Sequence, residues 1–544
     1  MSGDQEPENA GESLPSQERR RLSPSFITTL SSETTEMGQA TDMLLTFAEC
    51  QELKRACPLS CVLHRCATVL SSSAGDASTY TLSVPVDRIS SFISHNWSVS
   101  ARKKYITLCF YYNYKITAAV STMILLCLGC ASLLGFLPHV RRVDNPDRGF
   151  LCSVFVLPCF FCMFFFCREF QWCAFKAGPK VFLDKACIHQ ENQDTKQMGI
   201  QKLGAFLQYS DEMVVCYTDV YLQKLWTIYE VASFLALHPL ERLTVLPVDK
   251  ALLFFAIGAT FYIGQVVTLT IGAWFHIPGF FFMTQLPGLF LLMKVFRRWA
   301  REKMQLQMRL SQFTLHNSVC FCEEDRPLVY GNIVALLKAT QAVSECASDM
   351  DVLAEFDAIV RSELPVAFAS SLGRFTLEYH YLALIGLLAF GGQGVDILAA
   401  LPFDTGTCLS YALVFFLWIF TFAPAAFAAL EALAALFLNL TGLSQHCWNA
   451  VALLLVLVPV FALQMLLEWL RARAGPAVLT ALLLANIVGG LFCAWVFCRS
   501  RVRLQARTAS NEKSMHDESL PPAAYGIPAE TYMVGDSTCL RSFI

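Results

Sequence analysis

Long uninterrupted apolar blocks are the feature that most constrains this 544-residue chain. They reach about 18 residues or more, the length that a helix needs to cross ~30 Å of hydrocarbon. Only helices suit such blocks, because lipid offers a free peptide N–H or C=O no hydrogen-bond partner. The composition agrees, since 16% of the residues are charged against roughly 25% in soluble domains. The sequence therefore predicts a multi-pass α-helical membrane protein.

The apolar blocks predict eight spans. They lie at about 116–137, 150–167, 251–274, 278–295, 381–401, 408–437, 448–470 and 477–497. The first two and the next two form hairpins, 116–167 and 251–295, and the last four form a C-terminal block, 381–497. Residues 408–437 are too many for one upright helix, so this block either tilts and kinks at Pro424 or splits there and adds a ninth span.

Lysine and arginine near the span ends set the orientation, because short cytoplasmic loops are enriched in them. Basic residues gather at 102–104 before the first span, at 294–303 after the fourth and at 499–503 after the last. Basic residues at 141–148 and 471–473 are the exceptions. An even number of spans then places both termini in the cytoplasm, and the sequence does not indicate which membrane is used.

The two ends of the chain are polar and predict disordered tails at 1–40 and 508–544. The last three residues, Ser542-Phe543-Ile544, match the carboxyl-terminal pattern that PDZ domains bind by strand addition. The net charge of −3 gives no basic excess, so nucleic acid is not a predicted partner. The predicted partner is the lipid bilayer.

Cysteines are concentrated in segment 41–84, which we predict to be helical. Cys57, Cys61 and Cys66 stand closer together than the paired ligands of common zinc sites. Buried thiols on an amphipathic helix are therefore favoured over a metal site, and no metal or cofactor is predicted. Residues 297–376 are polar and predict a helical cytosolic linker.

Strands and helices alternate between the first and second hairpins. Apolar runs at 181–184, 213–217 and 242–248 read as strands, and the intervening apolar residues recur at helical spacing. Strands that alternate with helices of this length indicate βαβ units and a parallel sheet.

The residues of this region resemble the Toll/interleukin-1 receptor (TIR) domain. The matching motifs, in the order of the family, are Phe92-Ile93-Ser94-His95, Phe182-x-Asp184, Gly199-Ile200, Ser210, Val214-Val215, Tyr221 and Trp226-x-x-x-Glu230. The resemblance implies a small flavodoxin-like α/β domain made of 85–115 and 178–248, with hairpin 116–167 inserted in it. Lys224 and Thr227 depart from the family, which has Ser and Cys there. Since both the hairpin and the chain after Val248 must reach the membrane, we expect this domain to lie on its side.

The resemblance also implies a function. Several TIR domains cleave NAD⁺ with the glutamate of this helix, so Glu230 is the candidate catalytic residue, and Ser94, Asp184 and Trp226 are candidates for the nucleotide pocket or its loops. Other TIR domains are adaptors that self-associate through the loop corresponding to 185–198. The implied function is a signalling or scaffold module at the membrane, whose enzymatic form is an NAD⁺ glycohydrolase. Two plainer roles stay open: Asp184 as a cap bonded to backbone, and Glu230 as a helix-surface residue.

Polar residues within the C-terminal block support an alternative function, a transporter or channel. Charged groups deep in a bilayer usually face the interior of a helical bundle, because exposure to lipid is costly. Asp396 also follows Gly391-Gly392-Gln393-Gly394, a run that could locally unwind a helix as in transporter sites. Equally, Asp396 and Glu431 could lie at span ends and reach the interface. The candidates for a transport path are Asp396, Glu431, Gln464 and Asn486.

Overall fold

The computed structural model describes residues 44–517, apart from 141–147, 175–177, 272–279, 321, 341–342, 345–346, 374, 398–404, 437, 472 and 474. The predicted tail 1–40, the PDZ-type carboxyl terminus and the short turn 276–278 of the second predicted hairpin lie outside the described residues. The last helix continues to Asp517. Residues 508–517 are therefore helical rather than disordered.

Eight strands and seventeen helices make up the described chain. The strands are β1 (Arg55–Pro58), β2 (Val84–Pro85), β3 (Ile89–His95), β4 (His139–Val140), β5 (Arg148–Gly149), β6 (Lys180–Phe182), β7 (Ser210–Tyr217) and β8 (Leu243–Pro247). The helices up to residue 270 are α1 (Leu59–Ala67), α2 (Ala77–Tyr80), α3 (Ala101–Leu133), α4 (Leu151–Ala174), α5 (Asp184–Cys187), α6 (Gln193–Gln201), α7 (Leu203–Gln208), α8 (Leu225–Leu237) and α9 (Val248–Thr270). The remainder are α10 (Phe280–Ser311), α11 (Arg326–Ala339), α12 (Asp349–Leu372), α13 (Tyr379–Ile397), α14 (Thr405–Leu417), α15 (Ala423–Ala435), α16 (Gly442–Arg471) and α17 (Pro476–Asp517).

Six strands form one mixed sheet in the order β2-β1-β6-β3-β7-β8. Strands β6, β3, β7 and β8 are parallel, as their alternation with helices predicts, and β1 pairs antiparallel with both β6 and β2. Strands β1 and β2 come from segment 41–84, which is thus only partly helical and contributes to the α/β unit. The unit is larger than the predicted ranges 85–115 and 178–248.

The two faces of the sheet belong to two different apolar cores. Strand side chains alternate between faces, and one face packs into the same core as α3, α4 and α9. Its buried members include Ile93, Val181, Leu183, Val214, Cys216 and Leu246. The opposite face packs against α7, α8 and the helices of the 297–376 region, and includes Phe92, Phe182, Met213, Val215, Tyr217 and Val245. The sheet therefore lies between the long apolar helices and a second layer, formed by α7, α8 and the helices of the 297–376 region.

Seven helices of the described chain are long and apolar enough to cross a membrane. They are Ala101–Leu133, Leu151–Glu169, Val248–Thr270, Tyr379–Ile397, Cys408–Ala435, Gly442–Leu467 and Ala477–Cys498. The protein is thus a multi-pass integral membrane protein, as predicted. The predicted span 278–295 falls in the first half of α10, which is not one of these seven, so the total of eight stays a prediction.

The inserted hairpin joins the sheet through one continuous helix. At 33 residues, α3 is ~50 Å long, well beyond the ~30 Å that a span requires. Its first turns cover the sheet, where Tyr105 and Leu108 are buried, and the remainder continues as the first candidate span. Helix α9 starts beside α3, because Lys103 Nζ lies 3.0 Å from Asp249 Oδ1. The sheet therefore packs by one face against membrane-type helices, and its orientation relative to the bilayer stays a prediction.

Residues 405–435 form a single helical run rather than two separate spans. A π-helical turn, Trp418–Phe422, separates α14 from α15, and Pro424 occupies the first turn of α15. A proline lacks the backbone N–H of a regular helix, and π-helical turns accommodate such irregularities. Of the two predicted outcomes at Pro424, the structure has the irregular single span.

Close packing of α13 on α4 gives a test of the fold. A Cβ added to Gly392 would lie 2.6 Å from the carbonyl oxygen of Cys152, whereas one added to Gly394 would lie 3.8 Å from Phe415. We expect Gly392→Ala to lower the free energy of unfolding by about 1–3 kcal/mol, because backbone must move to relieve the clash. Gly394→Ala, the matched control, should stay within about 0.5 kcal/mol. Thermal unfolding of the two variants checks this, and equal stabilities would contradict the close approach.

Candidate functional site

A hydrogen-bonded group of three side chains occupies the carboxyl edge of the sheet. Ser94 is the penultimate residue of β3, Tyr221 lies in the turn after β7, and Glu230 follows in the second turn of α8. The Ser94 hydroxyl donates to Glu230 Oε2 and also shares a hydrogen bond with the Tyr221 hydroxyl. Ser94 and Tyr221 are fully buried, while Glu230 stays partly exposed. The Glu230 carboxyl group is thus held by Ser94, which Tyr221 holds in turn.

Thr227 attaches α8 to the turn that carries Tyr221. Its hydroxyl donates to the carbonyl oxygens of Tyr221 and, at 3.0 Å, of Lys224. These two bonds connect the start of the helix that carries Glu230 to the turn that carries Tyr221.

The Glu230 carboxyl is electrostatically unusual. Burial raises its pKa to about 8, the Ser94 hydrogen bond opposes this rise, and the charge of Asp184 adds to it. Charged groups lose hydration in such an environment, so the protonated form is favoured. A carboxyl group whose pKa lies near neutrality can exchange protons at physiological pH, which is a property of catalytic acids and bases.

The group lies where the strand order reverses. The chain leaves β3 for β6 on one side and then enters β7 on the other side of β3. In open α/β sheets, ligands bind outside the carboxyl ends of the strands at such a reversal. The position of Ser94 and Glu230 is therefore that of a ligand site.

Asp184 lies at the same edge, after β6. Its Oδ1 accepts the backbone N–H of Lys185 at 2.6 Å, and its Oδ2 accepts the indole N–H of Trp97 at 2.9 Å. The first bond goes to the next residue rather than two residues on, so it is not the Asx-type cap of the prediction. The second bond connects β6 to the chain after β3. Asp184 thus holds the chain after β3 against the chain after β6. Its negative charge also raises the pKa of Glu230.

A second polar group lies beneath Asp184, on the α3 side of the sheet. Lys104 is fully buried, with Nζ 4.6 Å from the centre of the Trp97 ring. Burial lowers the pKa of His95 to about 4, so this imidazole is neutral, and the charge of Asp184 opposes that change. Lys104 Nζ and His95 Nε2 have no hydrogen-bond partner among the described residues. The sequence named neither as a site candidate: His95 was noted only as the last residue of the Phe92–His95 motif, and Lys104 belongs to no motif.

Trp226 does not join the candidate site in the way that its motif position implies. Its indole N–H donates to Asp325 Oδ2 at 3.3 Å, and its ring packs edge-on against Tyr229 at 6.1 Å. Trp226 therefore attaches α8 to the start of α11. The sequence could not reveal this, because α11 lies about a hundred residues further along the chain.

The four polar candidates of the C-terminal block are occupied by bonds within the helical bundle. Asp396 is buried and accepts hydrogen bonds from the N–H groups of Cys152 and Ser153 and from the Ser153 hydroxyl. It therefore caps the start of α4, and it lies at the end of a candidate span, next to the last residue of α13.

The other three candidates also bond across or along helices. Glu431 accepts the N–H and hydroxyl of Thr376 at 2.8 and 2.7 Å. Gln464 accepts the indole N–H of Trp418 at 2.5 Å, and Asn486 donates to the carbonyl oxygens of Leu413 and Leu482. Each of these contacts stabilises packing, and transport through this block stays a prediction.

Metal binding finds no support in the described chain, where no group of three or more His, Cys, Asp or Glu side chains is arranged to hold an ion. Cys57, near the end of β1, is hydrogen-bonded with Cys61 in α1, and this bond raises the pKa of the Cys57 thiol, with burial as the second cause.

No family model, no curated protein and no solved structure matches this chain.

Proposed function

We propose that this membrane protein carries a TIR-like α/β module that cleaves NAD⁺ at the bond between nicotinamide and ribose. The observation that carries the proposal is the Ser94–Tyr221–Glu230 group at the strand-order reversal. Glu230 takes the role of the catalytic carboxylate, and Ser94 and Tyr221 hold it in position. The module would couple NAD⁺ cleavage to signalling at the membrane surface.

The chemistry follows from the position of one carboxylate near a ribose. The C1′–N bond breaks, and its electron pair passes to the nicotinamide ring, which loses its positive charge. The ribose is left as an oxocarbenium ion, which a nearby carboxylate stabilises, as in glycoside hydrolysis. Water then adds to C1′ and gives its proton to Glu230 or to solvent. The products are nicotinamide, ADP-ribose and one proton.

A purely structural role for Glu230 is the competing explanation. Burying a carboxyl group without a cationic partner costs free energy, because the group loses hydration. Hydrophobic or neutral side chains would fill the same volume more stably, as they do for many buried ion pairs. A partly buried acid with a raised pKa beside a ligand-type edge is therefore better explained by chemistry than by packing.

Nicotinamide release by the full-length protein in lipid nanodiscs tests the proposal. We expect release from the wild type, and equal release from Glu241→Gln, in which an exposed acid just after α8 is changed. The absence of release from folded protein, also under crowding that promotes self-association, would overturn NAD⁺ cleavage. The module would then be a signalling or scaffold unit that acts by self-association.

Ser94 gives a second, finer prediction. Its hydrogen bond lowers the pKa of Glu230, so Ser94→Ala should move the pH of half-maximal kcat/KM upward by roughly half to one pH unit. Ser91→Ala is the control, because the Ser91 hydroxyl donates to Glu212 instead, at 2.6 Å. A pH profile that is unchanged, or that moves to lower pH, would show that the Ser94 hydrogen bond does not lower the pKa of the reacting carboxyl.

A further inference from the structure

A segment of the cysteine-rich region lies against the loop that follows β6. The segment is 71–81, which contains α2, and the loop is 185–191, which begins directly after Asp184 at the carboxyl end of β6. Strand β6 pairs with β3, the strand that carries Ser94, so the loop borders the edge at which the candidate site lies. Loops at the carboxyl ends of parallel strands surround the ligand sites of open α/β sheets. We call segment 71–81 the strap.

Hydrogen bonds attach the strap region to both ends of this loop. At the first residue of the loop, Lys185 Nζ donates to the carbonyl oxygens of Val69 and Ser72, at 3.3 and 3.1 Å. At the last residue, Glu191 Oε1 accepts the backbone N–H of Ala77 at 3.1 Å. The loop is therefore bonded to the strap region over its whole length.

Side chains and backbone also pack between these bonds. The rings of Tyr80 and His189 lie 4.8 Å apart. A Cβ added to Gly75 would lie 2.6 Å from Cγ and 3.3 Å from Cβ of Gln190. The strap backbone therefore touches the loop at Gly75, and the lack of a side chain there permits the close approach.

The strap is held less firmly than the chain on either side of it. None of its eleven residues is buried, whereas Leu70 before it and Ser83 after it are each 1% exposed. Arg55 holds the second of these ends, because its Nε donates to the Ser83 hydroxyl at 2.9 Å. Segments with few buried apolar contacts open at a low cost in free energy. The strap can therefore open while its two ends and the sheet stay folded.

We propose that the strap is an autoinhibitory segment, which opens separately from the sheet and, while closed, restrains loop 185–191 at the edge of the candidate site. Loops that border a site adjust when a ligand binds, and the closed strap opposes this adjustment. Asp184, the residue before the loop, is also the one whose negative charge acts on Glu230. The effect on NAD⁺ cleavage rests on the proposed function, whereas restraint of the loop does not depend on it.

Hydrogen exchange of the full-length protein in nanodiscs tests the restraint without requiring turnover. We expect the hydrogen-bonded amides of the strap to exchange at least about tenfold faster than those of β3 and β7. Lys185→Met should accelerate exchange in the strap and in loop 185–191 about tenfold, because two hydrogen bonds are lost. Lys196→Met, in the neighbouring helix α6, is the control. A strap that exchanges as slowly as the sheet, or Lys185→Met exchange equal to that of the control, would overturn the proposal.

A disulfide that locks the strap tests the inhibition. The variant Gly75→Cys/Gln190→Cys places two Cβ atoms 3.3 Å apart, close to the ~3.5–4.5 Å of protein disulfides. Oxidation of this variant should slow exchange in loop 185–191 and lower kcat/KM for NAD⁺ cleavage about fivefold or more. A reducing agent should restore both. The two single-cysteine variants, oxidised and reduced in the same way, are the controls.

Failure of the strap and failure of the proposed reaction give different results. If the protein cleaves NAD⁺ and the locked form cleaves it as fast as the reduced form, the strap does not inhibit and the proposal is overturned. If no form cleaves NAD⁺, the proposed reaction is wrong. Slower exchange of loop 185–191 in the locked form then still supports the restraint, and unchanged exchange overturns it.

Discussion

Replacement of Glu230 by Gln is expected to lower kcat/KM for NAD⁺ cleavage by about 10²–10⁴-fold, the range of a positioned acid–base group. Gln has almost the same shape and can still accept the Ser94 hydrogen bond, so the site should keep its geometry. What is lost is the negative charge that stabilises the ribosyl cation. Nicotinamide release from wild type and Glu230→Gln, compared under identical lipid conditions, measures the difference.

The pH profile of the wild type provides the signature of this carboxyl. Only the ionised form stabilises a cation, and the pKa is raised to about 8. The value of kcat/KM should therefore increase with pH up to about 8 and level off above it. A profile that decreases over this range would mean that Glu230 works in its protonated form. Glu230→Gln activity within threefold of the wild type would remove the carboxyl from the mechanism.

Stability measurements separate this catalytic effect from misfolding. The Glu230 pKa is higher in the folded protein than the ordinary value of 4.5, so folded protein keeps a proton that unfolded protein releases. The free energy of unfolding therefore decreases as the pH rises from about 4.5 to about 8. Gln has no such proton, so Glu230→Gln should be at least as stable as the wild type at pH 8 and above.

Local pattern was sufficient to predict much of the fold. Apolar runs around Val181, Val214 and Val245 identified β6, β7 and β8, because these parallel strands are largely buried, including β8 at the edge of the sheet. Strands β1 and β2 were missed, because four- and two-residue strands that contain Pro58 and Pro85 give no periodicity. The place of β1 in the sheet depends on pairing with β6, which is more than a hundred residues further along the chain, and β2 is placed by pairing with β1.

The sequence predicted individual residues of the candidate site, but it did not predict which of them contact one another. Motif order singled out Ser94 and Glu230, and the structure brings these two together. Trp226, chosen on the same basis, contacts Asp325 instead, because packing of α11 on α8 decides which side chains face the sheet edge.

Removal of the Asp396 carboxylate should have the largest effect on stability. This side chain is 1% exposed and accepts the N–H groups of Cys152 and Ser153 at 3.1 and 2.8 Å and the Ser153 hydroxyl at 2.5 Å. These donors belong to the first turn of α4, whose N–H groups have no partner within the helix. The negative charge also interacts favourably with the helix dipole. Asp396 therefore joins α13 to α4 through buried hydrogen bonds, and water cannot reach these donors to take the place of the carboxylate.

We expect Asp396→Ala to lower the free energy of unfolding on the order of 3 kcal/mol, because it leaves buried donors unpaired and a cavity behind. Asp396→Asn keeps the volume but not the charge and should cost less, since its amide oxygen can accept one of the bonds. Glu355→Gln, at an exposed position of α12, is the control. Thermal or denaturant unfolding in detergent measures all three, and Asp396→Ala stability equal to that of the control would contradict the capping role.

The same variants separate packing from transport. A carboxylate that only lines a path for a solute can be replaced by Asn with little change in stability, while flux is lost. A carboxylate that caps a neighbouring helix gives the opposite result, a loss of stability that follows the number of hydrogen bonds removed. Because three donors from α4 converge on Asp396, the loss should appear first in unfolding of the bundle. Stable Asp396→Asn protein that no longer supports solute flux would reverse this conclusion and establish the C-terminal block as a transport path.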